Sequence, residues 1–316
     1  MQARTCLTAD GLTLTYYRAG AGGEVVVCLN PPGMSMHFWS SVIEELQADH
    51  TVIAFDYRPI QTGESEPADD KLLWGSLIED IVVILRQERV AAAHLASWGL
   101  SAKLALAFCR AFPAATLSLT AFGTSDTAFE ANKMDAYAEA VSALGESLES
   151  SPRSIDLTTA LLKKIGGYAG PTLLASALCA GEECGAVLRL IDLLEMESPM
   201  ANLVFEKLDT PARLRSYLSL HGLFLRAEVG SQIQSLNLPI TIVEGAEDGL
   251  ASLSAENRRQ LSAIPGLVFQ TISPATHFVL LERPLKVAHL IADAIKRVRS
   301  GDGNETRHVS SLASYV

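Results

Sequence analysis

Residues 90–112 read VAAAHLASWGLSAKLALAFCRAF. The first seven of these residues are apolar enough for a buried strand, and residues 100–112 have the apolar spacing of an amphipathic helix. Ser97, Trp98 and Gly99 stand where the first pattern gives way to the second. The stretch therefore predicts a strand that ends in a sharp turn and leads directly into a helix.

The same alternation of short apolar runs and helical patterns continues on both sides of this turn, which is typical of a mostly parallel sheet flanked by helices. Predicted strands cover 11–19, 25–30, 51–57, 90–96, 116–123, 238–248 and 267–273, and predicted helices cover 38–48, 72–87, 100–112, 255–263 and 283–298. We therefore predict an α/β fold with one core domain.

The strand pattern is interrupted between residues 125 and 235, where Ala, Leu and Glu dominate and Gly and Pro punctuate the chain. This composition predicts several helices inserted between two strands of the sheet. The predicted organisation is a core formed by residues 1–124 and 236–299, a helical cap formed by residues 125–235, and a flexible tail from 300 to 316.

Composition excludes several classes of function. With 48% hydrophobic and 19% charged residues the chain is expected to fold, and a net charge of −11 disfavours nucleic acid as a partner. No apolar run reaches the roughly 18 residues of a membrane span, and the first residues lack the apolar segment of a signal peptide. The five scattered cysteines are typical of free thiols in a reducing compartment, so we expect a cytoplasmic protein. No P-loop, paired histidine ligands or dinucleotide motif is found, so no metal or cofactor is predicted.

Ser97 is the predicted nucleophile, because a serine on a sharp strand-to-helix turn projects its hydroxyl above the sheet. Gly99, two residues later, gives the helix room to pass close to the strand, whereas Leu95, two residues earlier, is larger than that arrangement prefers. Ser101 is the alternative nucleophile, although it would place Lys103 where a small residue belongs. A serine that only caps the helix is the structural alternative.

An acid and a base follow the nucleophile along the chain. The predicted strand at 238–248 ends in Asp248, and the next strand is followed by His277. Both residues should therefore lie at the edge of the sheet where the parallel strands end. In this scheme His277 takes a proton from Ser97 and returns it to the leaving group, while Asp248 fixes the imidazole tautomer. Glu247 and Asp126 are alternatives for the acid.

Two backbone N–H groups should stabilise the oxyanion of the tetrahedral intermediate. One is predicted at Trp98, which follows the proposed nucleophile. The other should come from the loop after the strand at 25–30, where Pro31 and Pro32 lack an N–H. Gly33 or Met34 must then be the second donor, or the oxyanion hole has a single donor.

With these residues in place, the chain resembles the α/β-hydrolase superfamily over nearly its whole length. The matching segments are the loop after VVVCLN, FDYRPIQTGES, the Ser97 turn, GAED at 245–248, and HFVLLERP at 277–284. The strings ASWG, IGGY and RSYLSLHGLFLR are similar to those of a subgroup that contains the 3-hydroxyacyl-ACP acyltransferase of rhamnolipid-precursor synthesis and the related transacylase. This resemblance implies a serine triad and an acyl thioester substrate bound to a carrier protein or to coenzyme A.

Three functions remain open at the level of the sequence. The first is an acyltransferase or thioesterase that works through an acyl-Ser97 intermediate, for which a Leu- and Ala-rich cap suits an apolar acyl chain. The second is a carboxylesterase or lactonase that uses the same residues with water as acceptor. The third is a ligand-binding protein with little turnover, favoured by Leu95, Leu100 and the two prolines.

Overall fold

The structure, a computed structural model, describes residues 1–32, 34–58, 73–124, 220–227, 233, 236–248 and 253–300. Its centre is a sheet of eight strands. In chain order the strands are β1 (Gln2–Leu7), β2 (Thr13–Ala19), β3 (Val25–Leu29), β4 (Thr51–Phe55), β5 (Ala93–Trp98), β6 (Thr116–Phe122), β7 (Ile240–Gly245) and β8 (Leu267–Ile272). Across the sheet their order is β1-β2-β4-β3-β5-β6-β7-β8.

The sheet is mixed but mostly parallel, which confirms the predicted fold class. β1 pairs with β2 and β2 with β4 in antiparallel register, while all the other neighbouring pairs of strands are parallel. β1 was not predicted, because among its residues only Cys6 is buried and the strand carries no apolar run. An edge strand of this kind leaves little hydrophobic signal in a sequence.

Helices cover both faces of the sheet. They are α1 (Ser40–Leu46), α2 (Trp74–Gln87), α3 (Ala102–Ala111), α4 (Ala255–Ser262), α5 (Val279–Glu282) and α6 (Pro284–Ser300). A short 3₁₀ helix at Met36–Trp39 packs with α1 and α5, and α1 packs against α6. α3 follows β5 after a single 3₁₀ turn and packs on β5 and β6.

The predicted cap lies largely outside the described residues, of which it contributes only 220–227 and 233, and the predicted tail lies outside them from residue 301 onward. Residues 220–226 are helical, and Phe224 packs edge-on against Trp74 of α2 with ring centroids 5.0 Å apart. Among the described helices, none combines the length and apolar character that crossing a membrane requires.

A buried ion pair fixes the loop that follows β4. Arg58 Nε donates to Asp80 of α2 at 2.8 Å, and the Arg58 and Asp80 side chains are 4% and 1% exposed. Arg58 Nη1 also donates to Asp10 at 2.6 Å, from the turn between β1 and β2. The guanidinium therefore ties together three segments that are distant in sequence, on the side of the sheet that carries α2.

Candidate active site

The parallel strands end along one edge of the sheet, and the predicted acid and base both follow strand ends there. Asp248 lies three residues after β7, and His277 lies five residues after β8. Gly245, the last residue of β7, makes their approach possible: a Cβ at this position would lie 2.2 Å from the carbonyl oxygen of Thr276. The close contact of the two loops brings the carboxylate next to the imidazole.

His277 and Asp248 form a buried acid–base pair. Nδ1 of His277 lies 3.0 Å from Oδ2 of Asp248, and the two side chains are 1% and 3% exposed. An ionised carboxylate only accepts hydrogen bonds, so the imidazole hydrogen belongs on Nδ1. Nε2 is then the nitrogen with a lone pair, and it is the atom through which this histidine can take up a proton.

The imidazole lies over the end of β6. Gly123 follows Phe122 with φ of +55°, and a Cβ there would lie 2.9 Å from Cε1 and 3.0 Å from Nδ1 of His277. Trp98 of β5 also contacts this histidine. Its Nε1 donates to the backbone oxygen of His277 at 3.1 Å, and the two ring centroids are 5.7 Å apart. A glycine and an indole therefore hold the ring in place.

Ser97 lies within strand β5 and not on the turn that follows it. β5 does not end at Ala96 but continues through Trp98, so Ser97 is inside the strand, in register with Leu29 of β3 and Ala121 of β6. Its side chain is fully buried, and Oγ has no hydrogen-bond partner in the described part of the chain. The turn that the sequence placed at Ser97 therefore lies two residues later, at Gly99.

Gly99 forms the turn instead. Its φ is +58°, a left-handed conformation that L side chains rarely adopt, and a 3₁₀ turn at Gly99–Ser101 then leads into α3. With the turn at Gly99, the residues two before and two after it are Ser97 and Ser101, both small. That spacing was the signal in the sequence that could have located the turn, because small residues belong at these two positions.

Ser101, the alternative nucleophile, is engaged in capping the turn. Its Oγ accepts a hydrogen bond from the backbone N–H of Trp98 at 3.0 Å and lies 2.8 Å from the carbonyl oxygens of Leu29 and Trp98. These contacts use the hydroxyl to join β3, β5 and α3. Ser101 therefore has a structural role at the strand-to-helix junction.

Ser101→Ala is expected to lower the free energy of unfolding by about 1–3 kcal/mol, because the buried N–H of Trp98 loses this acceptor. Ser97→Ala is the matched control, since it removes a buried hydroxyl from the nearby end of β5 without removing a hydrogen bond to a described residue. Denaturant unfolding of both variants measures the difference. Equal destabilisation by the two changes would contradict the structural role of Ser101.

Two of the backbone N–H groups predicted as oxyanion donors already donate to other groups of the protein. The N–H of Trp98 already donates to Ser101, and that of Met34 donates to the carbonyl of Pro31 at 3.1 Å. Gly33 lies outside the described residues. Leu100 is the residue that follows the turn glycine, at the start of a helical segment where N–H groups have no partner within the helix. It stands two residues further along the chain than the donor predicted from the sequence.

Of the two alternative acids, only Glu247 is among the described residues. Glu247 is exposed, and Asp126 lies outside the described residues. Nor do the described residues contain a cluster of three or more histidine, cysteine and acidic side chains that could hold a metal ion.

A buried lysine lies on the helix that follows the turn. Lys103 is 1% exposed, and its Nζ donates to the carbonyl of Leu225 at 2.9 Å. Burial lowers the pKa of Lys103 to about 8, and it lowers the pKa of the nearby His221 to about 4, with a smaller contribution from the charge of Lys103. The lysine thus links α3 to the helical segment 220–226.

Neither a protein-family model nor a curated protein matches this chain. Solved structures do match it. A hydrolase from Pseudomonas aeruginosa PA01 superposes with a TM-score of 0.64 at 18% identity, covering 93% of this chain and 98% of the other. An esterase from Thermogutta terrifontis gives 0.65 at 17% identity, covering 94% and 99%. The enol-lactonase of Burkholderia xenovorans LB400 gives 0.63 at 15% identity, covering 93% and 100%.

The chain has the α/β-hydrolase fold. In the α/β-hydrolase fold the acid and base of the site stand on loops after late strands, and the nucleophile stands on the turn between a central strand and its helix. In this chain Asp248 and His277 follow β7 and β8, and Gly99 lies on the turn between β5 and α3. These structural similarities, at identities below one fifth, establish the fold and leave the chemistry to be argued from the site.

Proposed function

We propose that this chain hydrolyses small carboxylic esters or thioesters, with His277 as general base and then general acid. The observation that carries the proposal is the buried His277–Asp248 pair at the carboxyl edge of the sheet, with Nδ1 and Oδ2 3.0 Å apart. Asp248 orients the imidazole and stabilises its protonated form, so that Nε2 can accept a proton during attack on the carbonyl. This chemistry needs no metal or cofactor.

The substrate class is supported from two directions. The similar solved structures include an esterase and an enol-lactonase, both of which act on ester bonds. The resemblance of ASWG and the insertion to the 3-hydroxyacyl acyltransferase subgroup also favours an acyl group with an apolar chain. We therefore expect short and medium acyl esters, acyl thioesters and lactones to be the productive substrates, and transfer to an acceptor other than water to be the variation worth testing.

Product analysis tests the proposal. The purified protein is incubated with p-nitrophenyl acetate, butyrate and octanoate, with the corresponding acyl-coenzyme A thioesters, and with a γ-lactone, and the products are identified by mass spectrometry. Release of free acid that depends on His277 supports hydrolysis. An acyl conjugate formed with an added alcohol in place of the acid would point to transfer. Absence of any product across the panel would contradict the proposed function.

A ligand-binding protein with little turnover is the second candidate, and the observation that favours it is Gly99 at the turn, where there is no side chain to attack a substrate. The same panel separates the two functions when binding is measured in parallel. Stabilisation of the protein against heat by butyrate or octanoate, without product formation, would favour binding over catalysis.

A further inference from the structure

We infer that position 99, not position 97, faces the base of this site, and that any hydrolysis proceeds by direct attack of water without an acyl-Ser97 intermediate. This inference rests on the proposed function for its chemistry. The position of residue 99 relative to the base is argued only from β5, β6, α3 and the contacts of His277. Three independent observations support that position.

The first observation is the level of His277 along the strands. Phe122 of β6 is in register with Trp98 of β5, so Gly123 and Gly99 follow at the same level. The imidazole lies against Gly123. Ser97 lies two residues lower, a distance of about 6.6 Å along a parallel strand, whereas a hydrogen bond to Nε2 requires about 3 Å.

The second observation is the face of the sheet. Neighbouring residues of a strand point to opposite faces, so the Ser97 and Trp98 side chains diverge. Trp98 points to the face where its indole contacts His277 and where Phe38 packs on it with ring centroids 5.5 Å apart. Ser97 points to the other face, together with its register partner Ala121.

Helix α3 covers that other face of the sheet at Ala121. Ala121 packs against Ala102 at the start of α3, so the helix passes directly over this part of the sheet. Ser97 is therefore enclosed between the sheet and α3, at a place where a small residue allows the helix to approach the strand. Its full burial agrees with this position.

The third observation is the backbone of the turn itself. Gly99 is the residue of the β5–α3 junction with a positive φ, which is the strained position from which a nucleophile projects in this fold. Gly99 lies past the end of β5, so the alternation that turns Ser97 away does not apply to it, and a hydroxyl there would stand at the level of the imidazole. Glycine has none, so a residue that could form an acyl-enzyme is missing from the position that faces the base.

The direct reaction balances without a covalent intermediate. A water molecule loses a proton to Nε2 of His277 while its oxygen bonds to the ester carbonyl carbon, and the tetrahedral oxyanion accepts a hydrogen bond from the backbone N–H of Leu100. Collapse breaks the bond from the carbonyl carbon to the leaving oxygen. His277 then returns the proton to the leaving alkoxide, so that one ester and one water yield one acid and one alcohol.

The test compares four proteins with a fluorophosphonate probe, which bonds to an activated serine oxygen with loss of fluoride. The wild type and Ser97→Ala should both remain unlabelled when intact masses are measured. Gly99→Ser should gain up to one adduct per chain, located at residue 99 by peptide mapping. Gly99→Ala is the matched control for the strain of a side chain at positive φ, and it should remain unlabelled.

The outcomes separate this inference from the proposed function. An adduct on Ser97 of the wild type, or loss of ester hydrolysis in Ser97→Ala by more than tenfold with an unchanged circular dichroism spectrum, would overturn the inference while leaving the enzyme a hydrolase. A folded Gly99→Ser that stays unlabelled would also overturn it. Failure of the proposed function has a different signature, since it appears as the absence of product from every ester while Gly99→Ser is still labelled.

Discussion

Replacing His277 by alanine is expected to lower kcat/KM for ester hydrolysis by roughly 10²- to 10⁴-fold, the usual contribution of a positioned general base. Because proton transfer occurs in the transition state and not in substrate binding, kcat should fall as much as kcat/KM. Steady-state kinetics on the best ester of the product panel measures both quantities. Asp248→Asn should act in the same direction, since an amide supports the protonated imidazole less well than a carboxylate.

The matched control for this substitution is His289→Ala. His289 is exposed on α6, so its removal should leave kcat/KM within about twofold of the wild type. A fall of less than threefold in His277→Ala would show that the acid–base pair has no part in the reaction. Hydrolysis would then have to depend on other residues.

Replacing Asp80 by asparagine should lower the free energy of unfolding by about 3–5 kcal/mol. The change removes the charge that faces the guanidinium of Arg58 in the protein interior, and breaking a buried pair by neutralising one partner leaves an uncompensated charge. Asp10 continues to contact Arg58, but it is partly exposed and screened by water. Urea unfolding followed by circular dichroism measures the loss.

The control for this prediction is the same chemical change in an exposed ion pair. Glu256 pairs with Arg259 on the surface of α4, where both side chains are more than half exposed. Glu256→Gln should therefore leave the unfolding midpoint unchanged within error. If Asp80→Asn lies within about 1 kcal/mol of the wild type, the Arg58 network does not stabilise the fold as its burial indicates.

Much of the fold could be predicted because hydrophobic periodicity reports which face of a segment is buried. The strands at 25–29, 51–55 and 240–245 are buried almost throughout, and their apolar runs marked them clearly. The proximity of Asp248 and His277 could also be predicted, since the order of parallel strands brings their ends to one edge. β1 was missed because its stability comes from backbone pairing with β2 rather than from burial.

The turn at Gly99 was misplaced because the pattern of apolar residues does not mark where β5 ends. Alanines at 91–93 fit a strand or a loop equally well, so the start of β5 was set too early and its end with it. A strand that slips by two residues keeps every side chain on the same face, so the pattern of buried residues gave no warning. The positive φ of Gly99 and the register of Trp98 with Phe122 locate the end of the strand, in agreement with the small residues at 97 and 101.

The contacts that hold the imidazole of His277 could not be predicted from the sequence. Gly123 is informative only once the imidazole is known to lie against it, and that contact joins residues separated by most of the C-terminal half of the chain. Trp98 presented a similar difficulty. Its sequence position indicated a backbone donor, whereas its indole turns out to hold the carbonyl of the histidine.

The neighbouring placement of β6 and β7 has a consequence for how this molecule can diversify. β6 ends at Phe122 and the strand beside it, β7, begins at Ile240, with Phe122 and Val243 in register. The cost of closing a longer excursion grows only slowly with its length. The length of this connection can therefore change at little cost to the sheet, and the segment from 240 onward still supplies both Asp248 and His277.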